Sequence, residues 1–293
     1  MFRPFVLALL AATAAAAQAP PPPAAVAAAP AKAADAGDFR VVYEKVKNPD
    51  YRQIQEIFRG THLLEETARA LNEKLALPGD VAITLRECGA ADATYEPEKR
   101  RISLCYELVD AFATLFLRDA RRPEDAERAG NAVGGAALFV LFHEAGHALV
   151  DLYRLAGATK EGDVDQIATL VLLGGGKEGE GAALEGASTF LVEEEDAQAR
   201  ALLARLPFWS AHGFDQQRFF DILCWVYGRN PAGFGALIEE GTLPEARAAG
   251  CPAEYEAVAR TWEPALAPYW KAGPAIAPAS PPPSPPSSPP PRP

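Results

Sequence analysis

The sequence predicts an α+β protein on three observations. Short strand-like runs, set apart by one helical run and by Pro-Gly and Glu-Pro-Glu breaks, lie in the first part of the foldable region. From residue 107 to the end of that region the pattern is mainly helical. The longest apolar stretch, residues 136–153, is helix-length and carries His143, Glu144 and His147. A sheet followed by a helical half is an α+β arrangement, expected here as a small antiparallel sheet plus helices.

The ends bound the domain. The start, MFRPFVLALLAATAAAAQAPPPP, has a basic Arg3, an apolar run and small residues before a proline block. This predicts a signal peptide over residues 1–19, cleaved after Ala17 or, less favourably with Pro20 next, after Ala19. The run is too short to cross a bilayer and no stop-transfer charge follows, so no membrane span is expected once it is removed. The simple signal and the Ala, Arg and Pro usage point to a secreted or periplasmic bacterial protein. Residues 20–37 read as a Pro/Ala-rich linker and residues 273–293 as a Pro/Ser-rich disordered tail, since neither has the apolar content for a core. Residues 38–272 remain, enough for one domain.

Within that domain, residues 39–46 alternate as an entry strand. Residues 51–75 carry Ile54, Ile57, Phe58, Leu63, Leu64 and Leu71 at helical spacing. Residues 81–88 follow Pro78-Gly79 as a strand, and residues 101–105 follow the Glu96-Pro97-Glu98 turn as another. Helices are then expected over residues 107–118, 126–153, 163–173, 182–206, 216–227 and 253–270, with Gly174-Gly175-Gly176 as a break and Pro207 and Gly213 bracketing a loop.

The four cysteines, Cys88, Cys105, Cys224 and Cys251, all lie inside the domain, and an exported chain permits disulfides. Cys88 and Cys105 flank an expected hairpin, which favours Cys88 with Cys105 and Cys224 with Cys251. No CxxC spacing suggests a cysteine metal cluster. The formal charge of −11 becomes −12 when Arg3 leaves with the signal. An acidic chain with no basic run is a poor nucleic-acid binder.

The chemistry-bearing motif is VLFHEAGHAL at residues 140–149. Positions i and i+4 of a helix share a face, so His143 and His147 can ligate one Zn²⁺ with Glu144 beside the open position as general base. A buried Glu between two buried His would be costly without a metal or dense hydrogen bonding. Gly146 admits two readings, close packing against a neighbouring element or room for the metal or a substrate strand. A catalytic zinc needs a third protein ligand. A His six residues past the second is excluded, because Tyr153 stands there. The next helix begins with Glu161 and Asp165 four apart, an ExxxD spacing in which Glu161 ligates the ion and Asp165 orients a liganding His from behind. Asp165, Asp163 and Glu185 remain alternative ligands, since acidic residues also favour helix starts. For the oxyanion of a tetrahedral intermediate the candidates are His212 first, then Arg218 and Tyr227. Arg218 pairing an acid in the core is the structural alternative.

HEAGHALVDLY at 143–153, ExxxDQ at 161–166, DQQRFFDILCWVYG at 215–228 and CYE at 105–107 together resemble an uncharacterised bacterial family described as putative metallopeptidases. The ExxxD spacing resembles that of gluzincins, which implies a zincin-like fold, one zinc ion and a peptide or protein substrate. The expected activity is therefore metal-assisted hydrolysis of a peptide bond. Its rivals are a non-catalytic zinc-containing envelope binding module, in which Glu144 has no chemical task, and a metal-free helical domain.

Overall fold

A computed structural model describes residues 32–118, 120–188 and 216–271. The signal peptide, most of the linker, the far end of the helix expected over 182–206, the loop with His212 and the tail lie outside the described residues.

The fold is mixed, with one four-stranded sheet beside many helices. The strands are β1 (Phe39–Tyr43), β2 (Val81–Arg86), β3 (Ala93–Glu96) and β4 (Arg101–Cys105), in the order β1-β2-β4-β3. The expectation of an antiparallel sheet is corrected: β1 pairs parallel with β2, β2 pairs parallel with β4, and the β3–β4 pair alone is antiparallel. The cause is the connection. Between β1 and β2 run α1 (Arg52–Thr61) and α2 (Leu63–Lys74), and a helical crossover returns the chain to the end where β1 began. Strand β3 has no counterpart in the sequence reading. It forms a hairpin with β4 across the turn at Pro97–Lys99, which sets β4 parallel to β2.

The helix expected over residues 51–75 is two helices. His62 takes the left-handed region at φ 54°, and the chain restarts with Leu64, Ala68 and Leu71 facing the core. Helix α3 (Tyr106–Leu117) leads to α4 (Pro123–Tyr153), 31 residues long. Proline opens α4 where its missing N–H is no loss, and the Asp125 carboxylate accepts the Arg122 N–H at 3.2 Å. By length and composition α4 qualifies as a membrane span, yet 72% of its apolar window is buried inside the protein. It packs against α3, α5 (Glu161–Leu173) and α6 (Lys177–Ser188). Then come α7 (Gln216–Arg229), the short α8 (Ala236–Glu239) and α9 (Glu245–Ala248), and α10 (Cys251–Leu266).

Two disulfides join Cys88 to Cys105 and Cys224 to Cys251. The first ties the segment after β2 to the end of β4, and the second ties α7 to α10. At the domain's upstream border, Ala36 and Gly37 donate backbone N–H groups to the Leu77 carbonyl at 2.7 and 3.0 Å, and Ala33 donates to that of Pro268 at 2.9 Å.

Candidate metal centre

The site lies between α4 and α5. Contacts between the two helices run in opposite order along them, 143 with 165, 146 with 164 and 147 with 161, so they are antiparallel. Gly146 permits the close approach. A Cβ built there would stand 2.8 Å from Val164 Cγ1 and 3.3 Å from the Val164 carbonyl oxygen. Of the two readings of this glycine, packing against a neighbour is the one the structure displays.

That approach brings three ligand atoms together. His143 Nε2 and His147 Nε2 are 3.2 Å apart, and Glu161 Oε2 lies 3.0 Å from the first and 3.4 Å from the second. A tetrahedral ion bound at 2.0–2.1 Å has ligand–ligand edges of about 3.3 Å, so this triangle is the size of one tetrahedral face. Two imidazole nitrogens and one carboxylate oxygen also form a donor set that suits borderline transition ions better than calcium or magnesium. The residues present fit a divalent ion. The His143 side chain is 5% exposed, whereas those of His147 and Glu161 are 24% and 31% exposed.

Behind the cluster, Asp165 Oδ1 lies 2.8 Å from His143 Nδ1, the ring nitrogen turned away from the triangle. Arg218 of α7 grips the same carboxylate with two bonds, Nε to Oδ2 at 2.6 Å and Nη2 to Oδ1 at 2.7 Å. Burial alone would raise the Asp165 pKa. The bonds from His143 and Arg218 outweigh it and hold the group below the usual carboxylate value. For His143 burial works downward, but Asp165 and Glu161 raise its pKa from 6.5 to about 9 in the metal-free site.

Glu144 is 1% exposed. Its Oε2 finds no hydrogen-bond partner among the described residues. An unpaired carboxylate oxygen held out of water is costly, and such atoms concentrate where chemistry or an ion accounts for them.

The alternative ligands sit elsewhere. Asp163 caps α5, accepting the Thr159 and Lys160 N–H groups at 2.9 Å each. Glu185 lies on α6 against Gly135, two turns upstream of His143 along α4, and burial pushes its carboxyl pKa up. The Arg218 guanidinium is engaged with Asp165 on the far side of the His143 ring, so the structure gives it the acid-pairing geometry rather than a position on the Nε2 side. Tyr227 stands nine residues beyond Arg218, about 13 Å along α7, half-buried against the core. His212 lies outside the described residues.

Two supporting contacts carried no local signal. Trp262 of α10 donates its indole N–H to Gln166 Oε1 at 2.7 Å, beside Asp165. The Arg218–Asp165 pair spans 53 residues of sequence.

No curated protein and no solved structure matches the chain. A family model does match, over residues 43–266, about three quarters of the chain and all of the site described above. The protein therefore belongs to the family described as "putative metallopeptidase".

Proposed function

We propose that the protein is an exported zinc-dependent peptidase that hydrolyses peptide bonds in a peptide or protein substrate, with one zinc ion held by His143, His147 and Glu161. The observation that carries the reading is the triangle of donor atoms with edges of 3.0, 3.2 and 3.4 Å, joined in sequence to a buried carboxylate whose Oε2 lacks a partner among the described residues. Membership of the metallopeptidase family agrees with it. Both disulfides suit an oxidising compartment outside the cytoplasm.

When bound, zinc supplies Lewis acidity, bringing water's pKa down towards about 7 and polarising the scissile carbonyl. The chain's own residues do the rest. Glu144 accepts the proton that water gives up as its oxygen adds to the carbonyl carbon, then passes that proton to the departing amine nitrogen. Asp165 accepts a hydrogen bond from His143 Nδ1–H, which leaves the Nε2 lone pair on the side of His147 and Glu161, where it would serve as a ligand. His212 is assigned the developing oxyanion.

The test is metal analysis of the purified protein together with peptide-library cleavage, wild type against Glu144→Gln. The expected result is one zinc per chain in both and a loss of turnover by about 10²–10⁴-fold in the variant. A Glu144→Gln protein that keeps full function would identify a zinc-containing binding module instead. Absence of stoichiometric zinc from the wild type would return the chain to a metal-free helical domain.

A further inference from the structure

We infer that Arg218 is a positioning residue of the metal centre, acting through Asp165 to keep the His143 ring turned so that Nε2 faces His147 and Glu161. The inference rests on the metal reading above and extends it by giving α7 a task at a site built from α4 and α5.

The geometry carries it. Asp165 Oδ1 serves two donors, His143 Nδ1 at 2.8 Å and Arg218 Nη2 at 2.7 Å, while Oδ2 takes Arg218 Nε at 2.6 Å. A carboxylate tied to an imidazole alone can pivot about its Cβ–Cγ bond and carry the ring with it. A guanidinium gripping both oxygens along its own plane removes that freedom. Lysine offers one point of charge and cannot replace the fork. Burial makes the arrangement consequential, with side-chain exposures of 2% for Asp165 and 11% for Arg218. A buried ion pair of this kind contributes little net stability against an apolar substitute, whereas its directional bonds fix orientation. Arg218 is in turn held from behind, because α7 is fastened to α10 by the Cys224–Cys251 disulfide.

The experiment measures zinc affinity by competition with a chromophoric chelator. It uses the full chain as wild type, Arg218→Lys, Arg218→Gln, Asp165→Asn and the Asp165→Asn/Arg218→Gln double variant. Cobalt absorption spectra supply a second readout of ligand geometry, and circular dichroism and thermal midpoints report folding. Asp165→Asn and Arg218→Gln should each weaken zinc by about 10–100-fold. The double variant should lose no more than the worse single one, since both act through the same bond. Arg218→Lys should fall between wild type and Arg218→Gln, with cobalt bands shifted from wild type.

Wild-type-like affinity, within twofold, in folded Arg218→Lys and Arg218→Gln would overturn the inference, and so would single-variant losses that multiply in the double variant. Should Arg218→Gln fail to fold, the Lys variant decides: an unaltered affinity and an unaltered cobalt spectrum refute the inference. A wild type that binds no zinc would overturn the metal reading and this inference together, whereas wild-type binding with unaffected variants overturns this inference alone.

Discussion

Replacing Gly146 by Ala tests whether the spacing of α4 and α5 sets the metal centre. The added methyl would lie 2.8 Å from Val164 Cγ1 and 3.3 Å from the Val164 carbonyl oxygen. Carbon atoms rest about 3.5–4.0 Å apart, so the shortfall against Cγ1 is roughly 0.7 Å or more. Valine has one strongly preferred side-chain rotamer in a helix, and turning it would leave the carbonyl contact in place, so the helices themselves must part. Overpacking of this kind costs about 1–3 kcal/mol. Removing a helical glycine returns up to about 1 kcal/mol, for a net loss of roughly 1 kcal/mol. The metal feels more, since ligand distances tolerate only about 0.2 Å. Val164 lies between Glu161 and Asp165 in the sequence, and both depend on the position of α5. Zinc affinity measured by chelator competition should fall at least about tenfold while denaturant titration shows a folded protein. Gly130, on the same helix with nothing within 4 Å of a built Cβ, is the control. Its Ala variant should gain up to about 1 kcal/mol and bind zinc unchanged. A Gly146→Ala protein with wild-type zinc affinity would refute the idea that this contact sets the ligand geometry.

Three further outcomes follow from the geometry. With the His143 pKa raised from 6.5 to about 9 in the metal-free fold, protonation contributes stability that is fully present below about 6.5 and lost as pH rises through about 9. Zinc must displace that proton, so its apparent affinity should climb between those values and then level off, with proton release visible by calorimetry in buffers of different ionisation heat; a flat profile from pH 7 to 9 would contradict it. Paired Ser substitutions at Cys88 and Cys105, whose sequence separation is 17, should cost about 3 kcal/mol, and those at Cys224 and Cys251, separated by 27, about 3.5 kcal/mol; denaturant midpoints check both, and losses under 1 kcal/mol would speak against loop-closure entropy as the source. His212→Ala should lower turnover by about 10²–10³-fold without changing zinc affinity, and wild-type turnover would remove His212 from the oxyanion assignment.

How much of this was legible in the sequence depended on the range of each interaction. His143 and His147 are four residues apart, as are Glu161 and Asp165, and helical periodicity converts such spacings directly into shared faces. The α4–α5 pairing was readable because a short loop, ending at the Asp163-capped start of α5, leaves two helices little choice but to fold back on each other. The sheet was harder. Strand pairing direction follows from the intervening connection, and the run from Tyr51 to Leu75 signalled a helix without showing that it would serve as a parallel crossover. The left-handed position at the break is taken by His62 and not by glycine, the residue that ordinarily marks such a turn. Strand β3, four residues with a partly exposed face, offered too little alternation to stand out from its flanking turns.

The third tier of the site was the least legible, and the reason is physical. Arg218 meets Asp165 across 53 residues and Trp262 meets Gln166 across 96, distances over which no local propensity constrains a partner. A basic residue on a helix that also bears Phe219, Ile222 and Val226 on its buried side could have been a solvated charge, a substrate contact or a core ion pair. What separates these is burial together with the acceptor's other obligations. Asp165 is shared with His143, so the same guanidinium that neutralises a buried acid also constrains a ring whose opposite nitrogen faces the ligand cluster. The local code therefore nominates the atoms that touch the ion, and the long-range packing of α7 against α5 determines how rigidly they are presented.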